Sequence, residues 1–205
     1  MLIAATGDTE EGNDVLRNLI KLSNTCTFGK YDFMKKKVAD FEMAMLAIRS
    51  KSVSESVELG YRCLNTVVNE DGVETTCNHR NFIDIPFMEK VKFKPEPDPI
   101  VKITDTIAIK LIPITMEDVI NNLDLDDPAQ FRTKVEWISE GENLYTEFSV
   151  EEFSAWCTKI PVEPAEKIVK YFNEQSMAYL QHPVTCKKCK HKSEITIEGA
   201  TNFFG

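Results

Sequence analysis

The sequence predicts an α+β fold, with helical and β segments segregated along the chain. Apolar residues recur at helical spacing before about residue 52 and again from Pro113 onward, whereas they alternate with polar residues between Ser52 and Leu111. An Asp71-Gly72 turn signal lies between two β-prone runs, as in a hairpin. Near the C-terminus, Cys186 and Cys189 are separated by two residues just before a last β-prone run. The expected organisation is an N-terminal helical segment over 1–52 and a central, mainly antiparallel β unit over 53–112. The zinc-ribbon-like tail 184–205 closes that unit, and 113–183 is a helical insertion.

Asn13 or Asp14 is placed to cap a short helix carrying Val15, Leu16, Leu19 and Ile20. After the polar break SNTCTFGK, a helix is expected over roughly 31–50, with Met34, Val38, Phe41, Met45 and Ile48 on one stripe. Such a stripe is ordinary core packing, and Arg49 and Lys51 suit the negative end of the helix dipole. Val57, Leu59 and Tyr61 alternate as in a half-buried strand, and Phe82, Ile83 and Ile85 form another. Val91 and Phe93 give one more, before the spacer KPEPDP, whose prolines exclude a central strand. Ile100–Leu111 reads as two short strands around Thr104 and Asp105.

Thr115 with Asp118 forms a capping box for a helix carrying Val119, Ile120 and Leu123. Asp127-Pro128 is an N-cap followed by a first-turn proline, with Phe131, Val135 and Ile138 on one helical face. Ser149 with Glu152 is a second capping box, and Phe148 and Phe153 sit where a hydrophobic staple would close. Pro164 opens a last helix with Ala165, Ile168, Phe172 and Tyr179, stopped by His182-Pro183. The tail strand Ser193–Ile197 has no β neighbour nearby in sequence and is expected to pair with strands of the 57–111 region.

With 205 residues, 42% of them apolar and 28% charged, the chain has the composition of a soluble globular protein. Its 24 basic and 33 acidic residues leave a net charge of −9, which argues against a generic binder of the phosphate backbone. The apolar stretch Met1–Ala5 is too short for a signal-peptide core, and no run approaches the ~18 apolar residues of a membrane span. The expectation is an intracellular protein whose six cysteines stay reduced, so that a two-residue-spaced pair holds metal in preference to a disulfide.

The candidate metal ligands are Cys63, Cys77, Cys186 and Cys189, two thiolates from each of two knuckles, as in a closed structural zinc site. Thirteen residues separate Cys63 from Cys77, where a knuckle normally has two to four, so a hairpin must bring them together. His79 or His191 is an alternative ligand, and reduced buried cysteines are the metal-free alternative. Lys187, Lys188, Lys190, His191 and Lys192 surround the second knuckle, which offers a competing reading as a zinc-ribbon regulator that binds nucleic acid. The net charge and the lack of interleaved aromatics favour a solvated knuckle instead. No phosphate-binding loop, zincin motif or nucleophile elbow occurs, and Cys157 beside Trp156 reads as core. No catalytic residue and no small-molecule substrate are therefore expected. The terminal pair Phe203-Phe204 is either folded into the core or an anchor for a partner.

Several stretches together resemble the baseplate proteins of T-even-type contractile-tailed phages, the family of baseplate hub and hub-assembly components. They are VADFEMAMLAIRSKSVSESVEL at 38–59, YRC at 61–63, CNH at 77–79, IKLIPIT at 109–115 and TEFSVEEFSAWCTKI at 146–160, with the tail CKKCKHKSEITIEGATNFF. The resemblance covers most of residues 28–204. It implies a non-enzymatic virion or assembly protein, made in the host cytoplasm, that works through contacts with other hub or tail proteins. It also implies paired cysteines at Cys63, Cys77, Cys186 and Cys189. Two departures from the pattern stand out. Thr66 occupies a position where relatives carry a tight knuckle, and Asn78 and Lys190 replace the glycine usual after the second cysteine.

Overall fold

The computed structural model describes residues 10–199. Phe203 and Phe204 lie outside them. In chain order the elements are α1 (Glu10–Cys26), α2 (Val38–Ser52), β1 (Val57–Arg62), β2 (Thr66–Val68), β3 (Glu74–Thr76) and β4 (Arg80–Ile85). Next come α3 (Phe87–Lys90), β5 (Lys92–Phe93), β6 (Ile100–Lys102), β7 (Ile107–Leu111), α4 (Met116–Ile120) and α5 (Pro128–Phe131). The last are β8 (Val135–Glu140), β9 (Asn143–Tyr145), α6 (Val150–Cys157), α7 (Val162–Asn173), β10 (Ala178–Thr185) and β11 (Lys192–Glu198). All strand pairs are antiparallel and the fold is α+β. The chain divides into two compact units, one running to Phe41 and resuming over Lys94–Ser176, the other comprising Glu42–Phe93 and the chain from Met177.

The first unit is built on the sheet β6-β7-β8-β9. Its core joins Val101, Ile109, Leu111 and Ile138 of the sheet to Phe131, Phe153, Ile168 and Phe172 of the helices. The rings of Phe131, Phe153 and Phe172 meet edge to face at centroid distances of 5.3 and 6.2 Å, the arrangement aromatic quadrupoles favour. Both capping boxes form as the spacing requires. The Ser149 backbone N–H, then its hydroxyl, hold the Glu152 carboxyl below its ordinary range. The Phe148–Phe153 staple closes with the two rings stacked at 5.3 Å. Helix α1 is already running at Glu10, so Asn13 caps nothing; its side-chain amide donates to the Ile120 carbonyl at 3.2 Å.

Two helical readings give way here. The helix expected over 31–50 starts only at Val38, after a 3₁₀ turn at Phe33–Lys35 capped by the Asp32 side chain. Lys36 and Lys37 are committed elsewhere: Met116 N–H donates to the Lys36 carbonyl at 3.0 Å, and Lys37 bridges to Thr115. Val135 and Ile138 lie on strand β8, not on a helix continuing from Phe131. The pairing with β7 jumps from Lys110↔Trp137 to Leu111↔Val135, so a bulge absorbs Glu136. That bulge puts Val135 and Ile138 both inside the core despite a spacing of three, which imitates a helical period. The stretch 113–183, read as helical, therefore carries β8, β9 and most of β10.

The second unit pairs β1 with β4 from Val57↔Ile85 to Arg62↔Arg80, and β10 with β11 from Tyr179↔Glu198 to Thr185↔Lys192. Leu46, Val57, Ile85, Phe87, Ala178 and Leu180 form its core, with Ile195 and Ile197 packed against them. The tail strand β11 thus pairs with β10, not with the 57–111 region; only β5 of that region joins its sheet, through β10. The last helix ends at Asn173, and Tyr179 and His182-Pro183 belong to β10. β5 pairs only with Ala178 and Tyr179, so the later part of β10 has one neighbour and tolerates the missing N–H of Pro183. The Glu42 carboxylate, fully buried, accepts the Ala178 N–H at 2.7 Å.

In the first unit, Lys134 forms an ion pair with Asp118, whose side chains are only 8% and 14% exposed, and Thr115 donates its hydroxyl to the same carboxylate at 2.7 Å. Removing one member strands a buried charge. Lys134→Ala should lower the unfolding free energy by about 3–5 kcal/mol in urea titrations. Lys110→Ala, which breaks the more open 2.9 Å pair with Glu136, should cost less than about 1 kcal/mol.

Candidate metal centre

Cys63 follows the end of β1 and Cys77 precedes the start of β4. The 13 residues between them contain the small hairpin β2–β3, paired from Thr66↔Thr76 to Val68↔Glu74. Its turn is built by Asn69, whose side-chain oxygen accepts the N–H of Asp71 at 3.1 Å and of Val73 at 2.8 Å, while Gly72 takes φ +78. The hairpin returns Cys77 to Cys63: the Cys63 N–H donates to the His79 carbonyl at 3.0 Å, and the Asn78 N–H to the Cys63 carbonyl at 2.9 Å.

Cys186 and Cys189 lie on the turn between β10 and β11. The Lys190 N–H donates to the Cys186 carbonyl at 3.0 Å, and the Cys186 N–H to the His191 carbonyl at 2.9 Å. All four sulfurs lie within 4.8 Å of one another. Cys63 Sγ is 3.6 Å from Cys189 Sγ, and Cys77 Sγ is 3.8 Å from Cys186 Sγ. A tetrahedral zinc with Zn–S near 2.3 Å has sulfurs about 3.8 Å apart, so the spacing fits. Cys63, Cys77 and Cys186 are buried and Cys189 is half-buried. Neither imidazole joins the group; His79 and His191 contribute backbone groups instead.

The hydrogen bonds are those a set of thiolates needs. The Asn65 N–H reaches Cys63, the His79 N–H reaches Cys77, and the Cys189 and Lys188 N–H groups reach Cys186. Burial pushes the Cys186 thiol up, but these two N–H groups and the Asn81 amide outweigh it and bring it to about 6. At Cys63 the Asn65 N–H lowers the pKa, yet burial and the three neighbouring sulfurs drive it to about 12. At Cys77 the His79 N–H and Cys63 lower the pKa, but burial, Cys189 and Cys186 raise it overall. One thiolate forms readily, and it opposes the next unless a cation is shared. Four soft sulfur donors in a closed cluster are able to hold such a metal ion.

Two residues essential to this geometry escaped the sequence reading. Asn81 is buried; its amide nitrogen donates to the His79 carbonyl at 3.0 Å and to Cys186 Sγ at 3.7 Å, and its oxygen accepts the Lys187 N–H at 2.9 Å. Asn65 donates to Cys189 Sγ at 3.8 Å. The signal for Asn81 was available, because it is a polar residue in phase with the inward positions Ile83 and Ile85 of β4.

A family model described as T4 bacteriophage base plate protein matches residues 1–205, the whole chain. The chain belongs to that family. No curated protein and no solved structure was found to match it. As a member of the T4 base plate family it is a structural protein of the phage tail, in line with the resemblance read from its motifs. Among the described residues, no helix is long and apolar enough to cross a membrane.

The glycine positions after each second cysteine keep their conformation without glycine: Asn78 has φ +49 and Lys190 φ +63. Asn tolerates this region, whereas lysine is strained there by about 1–2 kcal/mol. Lys190→Gly should therefore melt above Lys190→Val by the equivalent of more than about 1 kcal/mol. At Lys188, whose φ is negative, the same two substitutions should show no such gap. Thermal unfolding of the purified variants measures both.

Proposed function

We propose that the protein is a structural or assembly subunit of the hub region of a contractile-tail baseplate. It works through contacts with other hub or tail proteins and catalyses no reaction. Cys63, Cys77, Cys186 and Cys189 hold a structural zinc ion. The observation that carries this reading is the convergence of four sulfurs, up to 126 residues apart in sequence, in a chain matched end to end by a baseplate family.

When bound, zinc supplies a dication that lets all four thiols ionise together. The chain's own residues do the rest. Asn65, Asn81 and the turn amides aim N–H groups at the sulfurs, and the exposed Lys187, Lys188, Lys190 and Lys192 offset the charge left over. Because the ligands come from two distant segments, binding free energy at the site is folding free energy for this unit. The other functional groups support a non-catalytic reading. Burial pushes the Cys157 thiol up to about 11, which keeps it protonated at neutral pH, and the Ser149 hydroxyl is occupied in a helix cap.

The purified protein should contain one equivalent of zinc, and chelation at neutral pH should lower its melting temperature markedly. Less than half an equivalent by metal analysis, or an unchanged melt after chelation, removes the staple.

Phe203 and Phe204 are the proposed anchor for a hub partner. Deleting Asn202–Gly205 should impair assembly with hub proteins in infected cells more than it lowers the melting temperature of the isolated chain. An equal loss of both would make these aromatics core residues.

A further inference from the structure

In the first unit, one face of the sheet and helix α6 enclose a groove of about 530 Å³. Its walls are Ile103, Ile107, Ile138, Phe148, Phe153 and Trp156. Phe148, Phe153 and Trp156 form one continuous stack with centroid spacings of 5.3 and 5.7 Å. Phe153 is buried, whereas Phe148 and Trp156 are only partly covered, so aromatic surface stays in contact with water.

The rim carries three carboxylates, Glu140, Glu147 and Glu152, against one cation, Lys159. Glu152 is engaged with the Ser149 N–H at 2.9 Å. Glu140 and Glu147 are exposed and have no ion-pair partner among the described residues. Beside them lies β9, the end strand of the sheet, paired on one side only by β8. Natural edge strands are usually blunted by Lys or Pro. β9 instead exposes Leu144 at 60% and Tyr145 at 45%, and Tyr145 also lines the groove.

We propose that this groove and the β9 edge form a docking surface for an extended segment of another protein, one with an apolar run flanked at its ends by Lys or Arg. The segment adds as a strand to β9, sets its apolar side chains in the groove, and places its cations against Glu140 and Glu147. This rests on the reading of the protein as one that acts through protein contacts, and it supplies the chemistry of one partner.

The test uses the full, zinc-loaded chain and a fluorescein-labelled peptide with a Val and Phe run between terminal lysines, beside a counterpart with Glu in place of Lys. Fluorescence anisotropy should show the basic peptide binding at least roughly tenfold more tightly than the acidic one. Glu140→Lys with Glu147→Lys should weaken it by about tenfold, whereas Glu58→Lys with Glu194→Lys, exposed on β1 and β11, should not. Hydrogen exchange at 143–145 should slow when the basic peptide binds. Equal binding of the two peptides, indifference to the Glu140 and Glu147 reversals, or binding without protection of β9 would each overturn the proposal. Any of these leaves the zinc content and the effect of the tail deletion untouched, so failure of this surface is distinguishable from failure of the hub reading.

Discussion

The second unit depends on bringing four sulfurs together from segments that share no sequence neighbourhood. Cys77 and Cys186, 109 residues apart, stand 3.8 Å apart at their sulfurs. The intervening chain leaves the unit after Phe93 and returns at Met177, so closing that loop carries an entropy cost that local propensity cannot meet. A core of six buried residues spans the same two segments through Ile85, Phe87, Ala178 and Leu180. Hydrophobic burial is non-directional, however, and fixes no register by itself. The directional restraints are Asn81, which ties β4 to the Cys186 turn, and Glu42, which receives the Ala178 N–H as the chain re-enters.

Both restraints are buried polar groups, and such groups stabilise only when their partners are in place. The same holds for Lys134, Asp118 and Thr115 in the first unit. The sulfur cluster is the extreme case. With Cys186 brought to about 6 and Cys63 driven to about 12, the four thiols oppose one another's ionisation, an opposition that a shared cation would relieve.

What was legible in the sequence follows from how local each signal is. The capping boxes at Thr115–Asp118 and Ser149–Glu152, the Phe148–Phe153 staple and the Asp71-Gly72 turn all form, because each is decided within a few residues. That four cysteines meet was legible too, since their spacing and a hairpin pointed to one cluster. The misreadings share another cause. Val135 and Ile138 have helical spacing only because a bulge at Glu136 resets the strand period. Tyr179 lies in phase with α7, yet the chain has changed to β structure before it, to meet β11 and β5. In both, pairing with a distant strand overrides the local period, and a single sequence does not display its partners.

The irregular first knuckle then has a physical account. A compact knuckle supplies two things to a thiolate: an N–H two residues onward and a left-handed residue that turns the chain away. Here the Asn65 N–H reaches Cys63, the His79 N–H reaches Cys77 and the Lys188 N–H reaches Cys186, each two residues after its cysteine. Asn78 and Lys190 take the left-handed turn directly after Cys77 and Cys189. None of these features requires Cys63 and Cys77 to be close in sequence. They require only that the ladder flanking them be in register, which the bonds from Cys63 N–H to His79 and from Cys77 N–H to the Asn65 carbonyl at 2.8 Å ensure. The hairpin β2–β3 thus stands where a tight turn would, and the residues inserted there lengthen the knuckle without altering what it offers a metal.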